Sequence, residues 1–206
     1  MADPIPDGDR RDACLPVLYA LPTILQPLEL GKLFVRPQPL EVELGCGDAS
    51  FLVEYAGRNP GTNFIGVERL LGRLEKLGRK GQRAGLKNVC GIRIESAYFL
   101  QYLLPPHSAA ALHVYFPDPW PKKKHRRHRL INEQFPALAR AALAPGGCLY
   151  LRTDDADYFS QMTEVFAAAR DFQAFETPAA LAGITTDFER DFNAQGIPTL
   201  RAAYRI

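Results

Sequence analysis

The sequence predicts an α/β domain built on a mostly parallel central sheet with helices on both faces. Three observations predict it. From residue 39 onward, segments with strand character alternate with segments of helical character. Glycine and proline turns punctuate the alternation. No segment repeats another and none is of low complexity, and 206 residues suit one core with little room for a second. The expected organisation is an irregular, Pro-rich leader over 1–38 and a single domain over 39–206.

The elements follow in order. PLEVELG places Leu40, Val42 and Leu44 on one face of a first strand that ends at a glycine turn. Ala49 to Arg58 reads as a helix closed by Asn59-Pro60-Gly61, and Asn63 to Glu68 as a second strand. A long basic helix from Leu70 to Ala84 leads to a third strand, Val89 to Glu95, and a short helix rich in Tyr and Leu. Ala110 to Phe116 is a fourth strand that runs into FPDPWP. A helix from Asn132 to Leu143 stops at Pro145-Gly146-Gly147, and Cys148 to Thr153 is a fifth strand. Asp157 to Ala169 forms a last long helix, and LRAAYRI reads as an edge strand.

Composition excludes several classes. No apolar run approaches the length of a bilayer span, and the acidic, Pro-rich start is neither a signal nor a transit peptide. A cytoplasmic protein is expected. Cys14, Cys46, Cys90 and Cys148 form no C-x-x-C pair, which argues against a zinc ribbon or a disulfide framework. No cluster of metal ligands is legible, and no metal is expected. Net charge is only +2, but Lys122, Lys123, Lys124, Arg126, Arg127 and Arg129 form a run without an acid. Such a patch on an otherwise mildly acidic body points to an anionic surface, with nucleic acid the leading candidate.

In open parallel sheets ligands bind beyond the carboxyl ends of the strands, so the segments after the strands matter most. The first strand delivers Glu43-Leu44-Gly45-Cys46-Gly47. Its glycines permit a sharp turn close to a ligand, and its acid can receive a cationic amine. Glu68 lies 21 residues after Gly47 at the end of the second strand, where an acid can accept ribose hydroxyls. A dinucleotide enzyme shares that logic, but the G-x-G-x-x-G fingerprint is broken at Ser50. Ser96, after the third strand, either edges an adenine ring or caps a helix.

FPDPWPKKKHRRHRLI is the most specific stretch. Pro117, Pro119 and Pro121 stiffen a loop that presents Asp118 and Trp120, a carboxylate and a flat surface for a nucleobase. The cations that follow can hold phosphates. Thr186 to Glu189 spells T-x-x-E, which also fits a helix-capping box, and Asp154 also fits an N-cap.

FPDPWPKK, together with E-L-G-C-G, F-I-G-V-E, R-T-D and a late T-x-F-E, resembles the bacterial tRNA (guanine-N7)-methyltransferase family over about residues 40–206. The resemblance implies a Rossmann-like class I methyltransferase fold, S-adenosylmethionine as cofactor, and tRNA held through Lys122 to Arg129. It implies cofactor contacts from Glu43, Gly45, Gly47, Glu68, Ser96 and Asp118, with Asp118 the catalytic residue. Lys122, Asp154, Thr186, Asp187, Phe188 and Glu189 match substrate-contact positions. Ser96 stands where Asn or Asp is usual, Ala49 replaces a common third glycine, and Asp187 stands where Lys is usual. Two other readings stand beside this one: a methyltransferase acting on an exocyclic amine of an RNA base, and a catalytically silent RNA-binding module of the same fold.

Overall fold

Alternation of apolar and polar residues fixes which face of each strand is buried, and the sheet that results has eight strands in the order β1-β4-β3-β2-β5-β6-β8-β7. A computed structural model describes residues 17–206; residues 1–16 of the leader, with Cys14, lie outside the described residues. The strands are β1 (Leu18–Tyr19), β2 (Leu40–Leu44), β3 (Asn63–Val67), β4 (Val89–Ile92), β5 (Ala109–Tyr115), β6 (Leu143–Thr153), β7 (Gln173–Phe175) and β8 (Leu200–Arg205). β1 to β6 pair in parallel, while β8 runs antiparallel to both β6 and β7.

The helices are α1 (Ser50–Arg58), α2 (Leu71–Arg83), α3 (Ser96–Tyr98, continued by a π-helical turn over Phe99–Leu103), α4 (Phe135–Ala142), α5 (Ala156–Ala168), α6 (Ala179–Ala182) and α7 (Asp187–Ala194). Leu40, Val42 and Leu44 join Leu112, Leu149, Phe135, Met162 and Phe166 in the larger core, on the face covered by α4 and α5. On the opposite face Leu52 and Ala56 of α1 meet Leu74 and Leu77 of α2 over Phe64, and Phe51 meets Leu181 and Ile184.

Several features depart from the sequence expectation, β1 and α6 among them. The C-terminal strand is not an edge, because β7, too short to be legible as a strand, covers its outer side. α4 begins three residues later than expected. Pro136 has no N–H and suits only the first turn, while the Asn132 side chain turns the preceding segment by accepting from the Gln134 N–H (2.9 Å). β6 already pairs with Ala109 at Leu143 and shifts register before Cys148, so Pro145 to Gly147 bulge within a strand.

From residue 17 to 38 the chain carries only β1 and one 3₁₀ turn, Leu30–Lys32, but Leu28, Leu33 and Phe34 are buried in the larger core. At its start it lies against β4. A Cβ on Gly91 would sit 2.9 Å from Leu18 Cδ2, so glycine is what admits this strand. At the centre β2 and β5 are neighbours, and the chain leaves them in opposite directions across the sheet. That crossover opens a crevice between the turn after β2 and the loop after β5.

Candidate active site

The turn after β2 is held open by backbone geometry. Gly45 and Gly47 have φ of 76° and 54°, and Ala49 follows at 61°. The first two need glycine. Ala49 takes a left-handed conformation with a side chain, which costs about 1 kcal/mol and is overcome by its complete burial among α1 contacts. Glu68 braces this turn, one oxygen accepting from the Gly47 N–H (3.2 Å) and the other from the Leu70 N–H (2.8 Å). Each oxygen keeps a lone pair for a further donor.

Glu43 is buried at the end of β2, and its Oε2 has no hydrogen-bond partner among the described residues. Burial pushes its carboxyl well above the ordinary 4.5; Arg152 opposes that, and Asp48 and Glu68 reinforce it. The folded chain therefore binds this proton more tightly than the unfolded one. Its contribution to stability is full in acid and is lost as pH rises from 4.5 through the folded value. Glu43→Gln is expected to flatten that fall and to raise the melting temperature at neutral pH by about 2–4 °C, the equivalent of roughly 1 kcal/mol in a chain of this size. Thermal melts at acidic and alkaline pH check it, and equal pH dependence in both proteins would contradict it.

Beyond β5 the FPDPWP loop is bracketed by two strained residues, Phe116 (φ 50°) and Trp120 (φ 44°). Two contacts hold it. The Phe116 N–H donates to Arg152 O (2.8 Å), and Arg129 Nε donates to Pro119 O (2.7 Å). Asp118 projects from this frame, exposed and without a hydrogen bond among the described residues. Trp120 is half-buried and packs against the His128 ring at 5.2 Å and the His125 ring at 6.0 Å.

The basic run does not present all its charges to solvent. Arg129 is 1% exposed, donates to Asp157 (2.6 Å) and Gln161 (2.7 Å), and lies over the Tyr158 ring. Its hydrogen bond holds the Asp157 carboxyl below the ordinary range. Arg126 also pairs with Asp157 (2.7 Å). Arg129 is thus a brace of the proline loop and not a free cation, a correction to the expected tRNA contact Lys122 to Arg129. Lys122, Lys123, Lys124 and Arg127 are exposed and make no ion pair among the described residues.

The T-D-F-E segment reaches the same crevice from α7. Phe188 is exposed and packs at a tilt against Phe116 of the loop, ring centres 5.0 Å apart. Thr186 caps α7 by accepting from the Glu189 N–H (2.8 Å). Asp187 donates its backbone N–H to Ser50 Oγ (3.0 Å), and its carboxylate pairs with Lys80 (3.6 Å) and Arg190. Lys80 also grips Asp48 of the turn after β2 at 2.9 Å. Partial burial alone would raise the Asp48 carboxyl, but its hydrogen bonds with Lys80 and Ser50 hold it low. Glu189 is fully buried between Arg152 (3.0 Å) and Arg201, so its carboxylate faces the interior and not a substrate surface.

A family model described as "Putative methyltransferase" matches residues 37–202. The tRNA (guanine-N(7)-)-methyltransferase of Syntrophotalea carbinolica is 33% identical over 178 residues, covering 84% of this chain and 77% of that protein. The chain belongs to this methyltransferase family. Proteins of the same name from Geobacter metallireducens and Bordetella pertussis are 38% and 36% identical over 67% and 71% of the chain. The chain spans 65% and 58% of their lengths. Among solved structures, the 16S rRNA methyltransferase KamB superposes with a TM-score of 0.60 at 18% identity over 86% of this chain and 92% of that one. Precorrin-6y C5,15-methyltransferase from Geobacter metallireducens gives 0.56 at 12% identity over 86% and 84%. At such identities these neighbours show the fold: a Rossmann-like class I methyltransferase domain.

Two capping assignments in this chain differ by one residue from the expectation. Glu95, not Ser96, caps α3 by accepting from the N–H groups of Ala97 (3.0 Å) and Tyr98 (2.8 Å), which leaves the half-buried Ser96 side chain uncommitted. Asp155, not Asp154, caps α5 by accepting from the Tyr158 N–H (2.7 Å), which leaves Asp154 free of that duty. Sequence reasoning missed Arg152 as a brace and the buried His113, which links Glu41 to the Tyr115 hydroxyl at 2.7 Å on either side. Their signal is a polar residue at every second position of three strands, Glu41/Glu43, His113/Tyr115 and Tyr150/Arg152, legible only once those strands are known to be neighbours. Among the described residues no group of three His, Cys, Asp or Glu is placed to hold a metal ion, and no helix is long and apolar enough to cross a membrane.

Proposed function

We propose that this chain transfers a methyl group from S-adenosylmethionine to N7 of a guanine in the variable loop of tRNA. The observation that carries this reading is the crossover between β2 and β5, which sets the E-L-G-C-G turn beside the FPDPWP loop. The residues fit the cofactor. An orphaned, buried carboxylate oxygen on Glu43 calls for a cation such as the cofactor's amine, and Gly45 and Gly47 allow close approach of its tail. Glu68 would accept from the ribose and Ser96 would edge the adenine. When bound, the cofactor supplies an electrophilic methyl on sulfur.

The chain's own residues do the rest by positioning. N7 of guanine carries a lone pair and no proton, so no general base is needed. Asp118 orients the base and offsets the positive charge that develops on its ring. Trp120 and Phe188 supply flat apolar surfaces near the base, and Asp154, Thr186 and Asp187 border the pocket. Lys122, Lys123, Lys124 and Arg127 hold flanking phosphates. Glu189 acts from within, by fixing α7.

The test is incubation with labelled S-adenosylmethionine and unmodified tRNA, followed by borohydride reduction and aniline cleavage. Cleavage at one guanine is expected, because a 7-methylated ring is reducible and then opens. A substrate with 7-deazaguanine at that site should be inert. Methylation of the deaza substrate at a normal rate identifies an exocyclic amine as the acceptor, and no transfer at all identifies a silent binding module.

A further inference from the structure

α2 carries a second set of cations that the reaction does not use. Arg73, Lys76, Lys80 and Arg83 recur at intervals of three and four, so they share one side of the helix, flanking the face that buries Leu74, Leu77 and Gly81, and Arg69 lies just before the helix. The stripe is about 15 Å long. Lys80 is committed to Asp48 and Asp187. Arg69, Arg73, Lys76 and Arg83 are exposed and make no ion pair among the described residues. Glu75, the helix's acid, pairs with Arg79 at the edge of the stripe.

This arrangement works against the helix that bears it. Like charges three and four residues apart repel one another. The first turn has no acid and contains Arg73, the reverse of what the helix dipole favours. Gly72, Gly78 and Gly81 lower its intrinsic propensity further. A row of cations that bears those costs, in which only Lys80 meets acids of the chain among the described residues, fits an external polyanion. The face has no apolar anchor among its cations, as a protein interface would have at its centre; Leu70 and Leu71 are exposed beside its start.

Its position points the same way. α2 starts just past Glu68, beside the crevice, and Lys80 ties it to the T-D-F-E segment, whose Phe188 touches Phe116 of the proline loop. We propose that the α2 stripe is a second RNA-backbone surface, holding phosphates of the same tRNA on the side of the site away from Lys122–Lys124. This rests on the tRNA reading above. It also shifts the expected footprint, since two of the six cations in the 122–129 run are tied to Asp157 and share its single negative charge.

The test compares the full chain with Arg73→Gln/Lys76→Gln/Arg83→Gln, using an unmodified tRNA transcript and fluorescence anisotropy from about 50 to 200 mM salt. The variant should bind about tenfold or more weakly, and its log–log salt slope should be shallower by about 2 units. S-adenosylmethionine affinity should not change, and the melting temperature should hold or rise as repulsion is relieved. In the unaltered protein, acetylation of Lys76 should slow when tRNA is bound, a readout independent of how the variant folds. An unchanged salt slope in a folded variant, or a Lys76 equally reactive with and without tRNA, overturns the proposal. Failure of the unaltered protein to bind tRNA at all would instead sink the tRNA reading itself.

Discussion

With Asn in place of Asp118, kcat is expected to fall about 100-fold, the usual cost of losing one preorganised electrostatic group, while cofactor affinity changes no more than a few fold. Asparagine keeps the size and one acceptor oxygen but not the charge. What is lost is attraction to the cationic ring that forms as N7 is methylated, an interaction stronger in the transition state than in the ground state. The cofactor keeps Glu43, Glu68 and the glycine turn. Folding should be untouched, within about 0.5 kcal/mol, because Asp118 is exposed and makes no hydrogen bond among the described residues. Single-turnover kinetics beside calorimetric cofactor titration separate the two effects. Equal losses in kcat and cofactor affinity would make Asp118 a cofactor ligand before anything else.

The second large effect concerns stability. Glu189→Ala removes the carboxylate between Arg152 and Arg201 and leaves Arg152, 1% exposed, with only the Ile184 and Leu181 carbonyls at 2.7 Å. Breaking a buried pair from one side costs about 3–5 kcal/mol, because the remaining charge stays out of water. Asp187→Ala, two residues away but half-exposed, should cost about 0.5 kcal/mol or less. Urea unfolding of the two variants checks the contrast. Should Glu189→Ala keep full stability and raise only the KM for tRNA, Glu189 contacts the substrate directly and the structural brace is wrong. Arg152 O also holds Phe116, so loosening this pair is expected to slacken the proline loop as well.

How much of this was legible without coordinates divides along a physical line. Local backbone chemistry is written in the chain itself. Gly45 and Gly47 announce a turn that only glycine makes freely, and alternation of Leu40, Val42 and Leu44 announces which face of a strand is buried. Three prolines announce a stiff loop. From such short-range constraints the α/β class and the order of the main strands and helices from β2 to α5 followed directly.

What only the tertiary structure decided is where long side chains find their partners. Six cations in a row look alike in a sequence, yet Asp157, some thirty residues on, pairs with Arg126 at the surface and with Arg129 in the interior. T-x-x-E reads as a capping box, but Arg152 and Arg201 capture Glu189 from other strands, so only the Thr186 half of the box forms. β8 reads as an edge until the three residues of β7 cover it. Charge pairing and sheet neighbours depend on which elements meet in space, and a one-dimensional pattern carries periodicity but not partners.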